Sequence, residues 1–193
     1  MTKMSTIDWD FIANHEGKSL TTGYVPNVGT SKSGVTIATG VDLGQRNHSE
    51  IVKWNLTPDL TEKLRSYCGM CGNEAVALLK SKPLTVTAEE ADALDKAAAE
   101  EIFGVLQRNF DVATHQGAFD ALPRAVRTVL ASLAYQYGPN LQRRTPKFWH
   151  VATEKNWPGV IHELENFGDA YSKRRQDEAR YLKAALDKNF DVA

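Results

Sequence analysis

Apolar residues recur at helical spacing along most of this chain. The exception is a short region near its beginning, where the pattern suits strands. Ile7, Phe11 and Ile12 form a narrow apolar stripe with Trp9 beside it. Ser5, with Asp8 three residues on, approximates a capping box for this first helix, and Gly17 is a natural stop just past its end. Thr21 to Val25 and Val35 to Thr39 read as two strands, separated by the turn residues Pro26, Asn27, Gly29, Ser33 and Gly34. Thr57-Pro58 then opens a helix striped by Leu60 and Leu64, and Asn73 is expected to cap a short helix through Leu79. Thr87-Ala88-Glu89-Glu90 is a capping box. It starts a long helix to about Phe110, with Ala91, Leu94, Ala98, Ile102, Val105 and Leu106 as its packing face. Leu122, Ala125, Val126, Val129, Leu130 and Leu133 are dense enough to mark a central, mostly buried helix that ends at Gly138-Pro139. Thr145-Pro146 and Trp157-Pro158 open two more helices, and Ser172 is placed to cap a last one running to about Leu186.

These elements describe a mostly helical α+β protein. A region with a small β-hairpin (about 1–86) leads through a long connecting helix (about 87–110) into a helical lobe (about 111–193). No stretch is rich enough in Pro, Gly or Ser to separate independent domains, so 1–193 reads as a single domain. The 193 residues are 42% hydrophobic and 24% charged, ordinary values that exclude disorder. A formal net charge of −1 argues against a nucleic-acid binder. No apolar run approaches the ~20 residues of a membrane span, and Met1 to Ser5 carry no apolar signal-peptide core. Charge is uneven only locally. Ala121 to Thr153 has no acidic residue but contains Arg124, Arg127, Arg143, Arg144 and Lys147, either solvated helix faces or a basic lip for an anionic substrate.

The chemistry concentrates between residues 14 and 44. Glu16 is expected in the last turn of the first helix, where the helix dipole and partial burial would both favour a protonated acid. Thr36 supplies a hydroxyl, and Asp42 supplies a second carboxylate six residues later. Two carboxylates in different environments are the minimum equipment for general acid/base hydrolysis of a glycosidic bond, a reaction that requires no metal and no organic cofactor. Other motifs fall short. Cys68-Gly69-Met70-Cys71 lacks the second ligand pair of a closed zinc site and the βαβ context of a redox motif, which leaves two reduced thiols near a helix end. Gly17-Lys18-Ser19 has Ile12 where a phosphate loop needs glycine, and His15-Glu16 has Ser19 where a zinc-protease helix needs histidine. There is no Gly-x-Ser-x-Gly elbow.

The block Gly34-Val35-Thr36-Ile37-Ala38-Thr39-Gly40-Val41-Asp42-Leu43-Gly44-Gln45 after Glu16 resembles the catalytic region of phage-type lysozymes, in particular the pesticin-like branch. Tyr135-Gln136-Tyr137-Gly138 is similar to the aromatic-Gln-x-Gly that closes the central helix of that family's C-terminal lobe. Asn156-Trp157-Pro158-Gly159, Asn166-Phe167-Gly168-Asp169 and Arg174-Arg175-Gln176-Asp177-Glu178-Ala179 resemble its Trp…Arg-Arg-x-x-Glu tail. Matching blocks run from about Glu16 to about Leu182. The resemblance implies a lysozyme-like two-lobed fold with a cleft. Glu16 would be the acid, Asp42 the second carboxylate and Thr36 a water-positioning hydroxyl. Gln136 would be a cleft residue, and Thr39 and Tyr24 are assigned with it to substrate binding. Many phage lysozymes place the second carboxylate before the threonine. Here Gly17 to Val35 contains no Asp or Glu, so Asp42 is the close candidate.

The implied reaction is hydrolysis of the β-1,4 bond between N-acetylmuramic acid and N-acetylglucosamine, with inversion by analogy. The implied partner is bacterial peptidoglycan, met by a monomer with no stable membrane insertion. The short chain leans toward a phage or prophage endolysin. It would be made in the bacterial cytoplasm and released to the wall through a holin pore or a secretion system. Its alternatives are the killing domain of a bacteriocin or secreted effector, and a catalytically silent wall-binding module. The Arg174-Arg175 pair would either contact substrate or hold the C-terminal helix through Glu178 or Asp169.

Overall fold

The computed structural model describes residues 7–26 and 33–190, which divide into two compact units. One is Glu16–Ala99; the other joins residues 7–15 to the chain from Glu100 onward.

The first unit is built around a three-stranded antiparallel sheet in the order β1 (Leu20–Tyr24), β2 (Thr36–Ala38), β3 (Val41–Asp42). Leu20 lies opposite Ala38 and Tyr24 opposite Thr36, with an irregularity between them. Thr36 in turn faces Asp42, and Ile37 faces Val41. The two-residue β3 is too short to leave a periodic signal and was not expected. Thr39-Gly40 makes the turn into it, with Gly40 at φ +111°, a conformation that glycine adopts without steric cost. The other side of β1 is covered by Leu84–Val86: the Gly23 amide donates to Leu84 O and the Val86 amide to Thr21 O, both at 2.9 Å. A 3-10 turn (Leu43–Gln45), α2 (His48–Val52), α3 (Pro58–Arg65), α4 (Gly72–Ser81) and the first half of α5 (Ala88–Ala113) complete the unit. Val35, Ile37, Leu43, Ile51, Leu60, Leu64, Leu84 and Leu94 form its buried core.

Local signals explain most of these boundaries. Thr57 caps α3 through the Leu60 amide, with Pro58 at the first helical position. Thr87 and Glu90 exchange both bonds of the expected capping box. Asn73 does not cap α4: Gly72, at φ +56°, turns the chain into the helix earlier, and Cys71 occupies the cap without a side-chain bond. A second box, Asn47 with Glu50, opens the short α2, whose five residues are too few to leave an apolar stripe.

The second unit contains α1 (Trp9–Ala13), the rest of α5, α6 (Arg124–Tyr137), α7 (Leu141–Arg144), α8 (Pro146–Thr153), α9 (Trp157–Glu165) and α10 (Ser172–Phe190). α6 is its centre, buried from Thr128 through Ala134. Ser5 and the turn residues Asn27 and Gly29 lie outside the described residues. Asp8, expected as the third residue of a capping box, is itself the cap of α1 and accepts the Phe11 amide at 3.1 Å. It also ties α1 to α6 and α10: its own amide donates to Thr128 Oγ1, and the Tyr181 hydroxyl donates to its carboxylate. The cap of α9 is Asn156 rather than Trp157, since its side chain accepts the Gly159 amide. Thr145 stands at the cap of α8, but its hydroxyl turns back to Leu141 O. The basic stretch resolves in part into structural contacts, with Arg124 beside Asp8 and Arg127 on Asp120 O.

A buried polar network holds α10 on α6. Arg175, 1% exposed, donates to Asp169, Glu178 and the amide oxygen of Gln136, and its guanidinium lies over the Tyr137 and Phe167 rings. Arg174 donates to Glu178 and to Ser132 O, and the Ser132 hydroxyl donates to Glu178. Both arginines of the tail therefore serve the fold. Burial would raise the Asp169 carboxyl, but the Tyr137 hydroxyl, the Tyr171 amide and the Arg175 guanidinium outweigh it and hold the group below the usual aspartate range. A depressed carboxylate contributes stability that is present above its unfolded value and is lost as pH falls through the folded one. Urea unfolding should accordingly show Asp169→Asn less stable than the parent at neutrality, with the gap closing below about pH 4. A gap that persists unchanged into acid would contradict this.

Candidate functional site

Glu16 does not sit in the last turn of α1. That helix ends at Ala13 with Asn14 as its C-cap, and Glu16 follows in a bend. A helix field fades within the last turn, and α1 is only five residues long, so the expected dipole contribution lapses. Glu16 is half-buried and its Oε1 is out of contact with solvent.

Tyr24, Thr36 and Asp42 form one row across the three strands, by the pairings given above. Directly opposed residues of antiparallel strands carry their side chains on the same face. Thr36 at the centre of the row is buried, and its hydroxyl donates to Gly34 O at 3.3 Å. Asp42 is half-buried, and its Oδ1 accepts two backbone amides, Gly34 at 3.0 Å and Gly44 at 2.9 Å. These two bonds anchor Oδ1, and among the described residues none is seen at Oδ2. Tyr24 is exposed at the edge of the row.

The glycines that flank the motif have a packing reason. A Cβ on Gly44 would stand 2.5 Å from both Gly34 Cα and Met70 O, closer than real atoms approach. The reciprocal Cβ on Gly34 would strike the same backbone. Gly44→Ala should therefore destabilise the unit by roughly 1–3 kcal/mol or more and disturb the Asp42 cradle with it. Thermal unfolding compared with Gly17→Ala, where a Cβ meets nothing within 4 Å, measures the difference. Equal melting of the two variants would refute the packing argument.

Cys71 belongs to this same contact. Its thiol donates to Gly44 O at 3.3 Å, and Cys68 donates to Leu64 O at 3.5 Å. Both are unpaired thiols, and burial together with the nearby Glu50 pushes the Cys68 thiol up, away from a reactive thiolate. Among the described residues, neither joins a cluster of three potential metal ligands.

One residue escaped the sequence reading. Asp95, on α5, accepts the Thr39 amide (2.8 Å), the Thr39 hydroxyl (2.6 Å) and the Ser19 hydroxyl (2.8 Å). One acid among several on α5 carries no signal of its own, because its partners lie 56 and 76 residues away. Thr39 therefore spends its hydroxyl proton on Asp95. Gln136 belongs to the helical unit, where its amide oxygen is taken by Arg175.

The pesticin family model, described as "Bacterial toxin homologue of phage lysozyme, C-term", matches residues 6–158. The chain belongs to the pesticin family. Its α+β fold, with a small antiparallel sheet and a long helix leading into a helical unit, agrees with that membership. No curated protein matches this pesticin-family chain. The match contains Glu16, Tyr24, Thr36, Thr39, Asp42, Asp95 and Gln136, and it ends before Asp169, Arg174, Arg175 and Glu178. Kinship with phage lysozymes supports a lysozyme-type hydrolysis of peptidoglycan.

Proposed function

We propose that this pesticin-family chain is a muramidase that cleaves the β-1,4 bond between N-acetylmuramic acid and N-acetylglucosamine. The row Tyr24–Thr36–Asp42, with Asp42 held by two amides, is the observation that carries this reading. In it, Glu16 gives its proton to the leaving glycosidic oxygen as the bond to the anomeric carbon breaks. Asp42 Oδ2 takes a proton from the water that adds to that carbon, and Thr36 orients the water. Tyr24, Thr39 and Gln136 are the proposed substrate contacts. Adding water from the face opposite the leaving group inverts the configuration. No metal or organic cofactor enters this scheme.

The partner is the peptidoglycan of bacteria, which a monomer would meet in the periplasm after leaving the cytoplasm through a holin pore or a secretion system. Among the described residues, no helix is long and apolar enough to cross a membrane. We read the protein as an endolysin. The killing domain of a bacteriocin is the second reading, favoured by the family's description as a bacterial toxin homologue. Mass spectrometry of digested peptidoglycan tests the reaction. New reducing-end muramic acid is expected. Reducing-end glucosamine or anhydro-muramic ends would replace the proposal with a glucosaminidase or a lytic transglycosylase. No cleavage at all would favour a silent binding module.

A further inference from the structure

We propose that Asp95 is a positioning residue that sets the spacing between the acid and the second carboxylate. The inference rests on the roles given above to Glu16 and Asp42. Ser19, bound to Asp95 Oδ2, lies three residues after Glu16. Thr39, bound to Asp95 Oδ1, lies three residues after Thr36 and three before Asp42. Three residues span at most roughly 10 Å, so each reacting group sits on a short tether from one carboxylate.

Both tethered segments need an external hold. Gly17–Ser19 has no regular secondary structure, and Gly17 stands in open space. On the other side, Thr39 follows Ala38 at φ +55°, a left-handed conformation that costs an alanine about 1–2 kcal/mol, and precedes Gly40 at φ +111°. Such a backbone persists only where the surroundings over-determine it. Asp95 supplies that constraint from a long helix whose start is closed by a capping box. Its three partners are all neutral donors. The carboxylate therefore gathers hydroxyl and amide hydrogens instead of balancing a cation, and bonds to an ionised acceptor are about twice as strong as neutral ones.

The test is steady-state hydrolysis of purified peptidoglycan by the full chain, with Glu16→Gln run beside Asp95→Ala, Asp95→Asn and Ser19→Ala. A displacement near 1 Å costs roughly 10²-fold in turnover. Asp95→Ala should accordingly lower kcat by about 10- to 100-fold, with a smaller rise in KM through the released Thr39. The pH profile of kcat should shift as well, because the two carboxylates no longer hold their spacing. Asp95→Asn should recover part of the loss, since its amide can still accept from Thr39 and meet Ser19. Ser19→Ala should slow the parent several-fold and have no further effect in the Asp95→Ala background.

A merely structural role would lower the melting temperature and leave kcat of the folded fraction, and its pH profile, unchanged; that result overturns the proposal. If Asp95→Ala does not fold, Ser19→Ala decides: unchanged kcat overturns the proposal, and reduced kcat with unchanged KM supports it. An inactive Glu16→Gln beside a fully active Asp95→Ala removes the positioning role alone. A fully active Glu16→Gln removes the muramidase assignment, and the positioning role with it.

Discussion

Replacing Glu16 by glutamine is expected to cut turnover of peptidoglycan by about 10²-fold or more, with the far-ultraviolet circular dichroism unchanged. Glutamine matches the shape of the protonated acid and can occupy the same bend, but its amide cannot release a proton to a leaving oxygen. The half-buried setting of Glu16 makes the isosteric change the right one, because a smaller residue would open space around a shielded oxygen and confuse chemistry with packing. Asp42→Asn is the companion measurement. Asparagine Oδ1 can still accept the Gly34 and Gly44 amides, so the cradle survives while the oxygen assigned to water activation becomes an NH2 group. A loss of about 10²-fold is expected again. Thr36→Ala should cost less, because it removes an orienting hydroxyl and leaves both carboxylates. Clearing of cell walls by Glu16→Gln at the parental rate would end the assignment of Glu16 as the acid.

Truncating Glu178 to alanine should destabilise the helical unit by about 3–5 kcal/mol, the scale for breaking a buried ion pair from one side. Burial explains the size. Glu178 is fully buried and accepts from both Arg174 and Arg175, the latter 1% exposed. Removing Glu178 takes a carboxylate from guanidinium groups that are shielded from solvent. Burial raises the Glu178 carboxyl above the usual glutamate range, against the pull of Arg175, Ser132 and Arg174. Both of its oxygens accept hydrogen bonds from these donors. Pairing Glu178→Leu with Arg175→Met removes one charge of each sign and replaces the ions with apolar bulk, so the double variant should lose less than the sum of the two singles. Denaturant unfolding of the four proteins closes the cycle. Additive losses would mean that these residues do not act as a unit.

Much of the helical architecture was legible because its signals are local. The Thr87/Glu90 box, the Thr57-Pro58 start and the apolar stripe of α6 each involve residues within a turn or two of one another, and all three stand where the pattern put them, except that Leu122 precedes the Pro123 cap of α6. Errors arose where a neighbouring group competed for the same role. Asp8 took the Phe11 amide and shortened α1, Gly72 displaced Asn73, and Asn156 displaced Trp157. For the site, the residue types and their order along the chain were readable, and the family followed from them. The position of Glu16 beyond the helix was not.

The amino-acid order alone determined most of the longer helices, the hairpin, the pesticin kinship and the pair of carboxylates worth testing. These depend on caps, periodicity and spacing that act over a few residues. Tertiary structure alone decided that Asp42 is gripped by Gly34 and Gly44, that Gly44 and Met70 leave no room for a side chain, and that Asp95 reaches Ser19 and Thr39. It also decided that the tail arginines serve α10. The physical reason is range: each of these contacts needs groups brought together by the turn or by packing, and burial then makes each bond too costly to leave unmade.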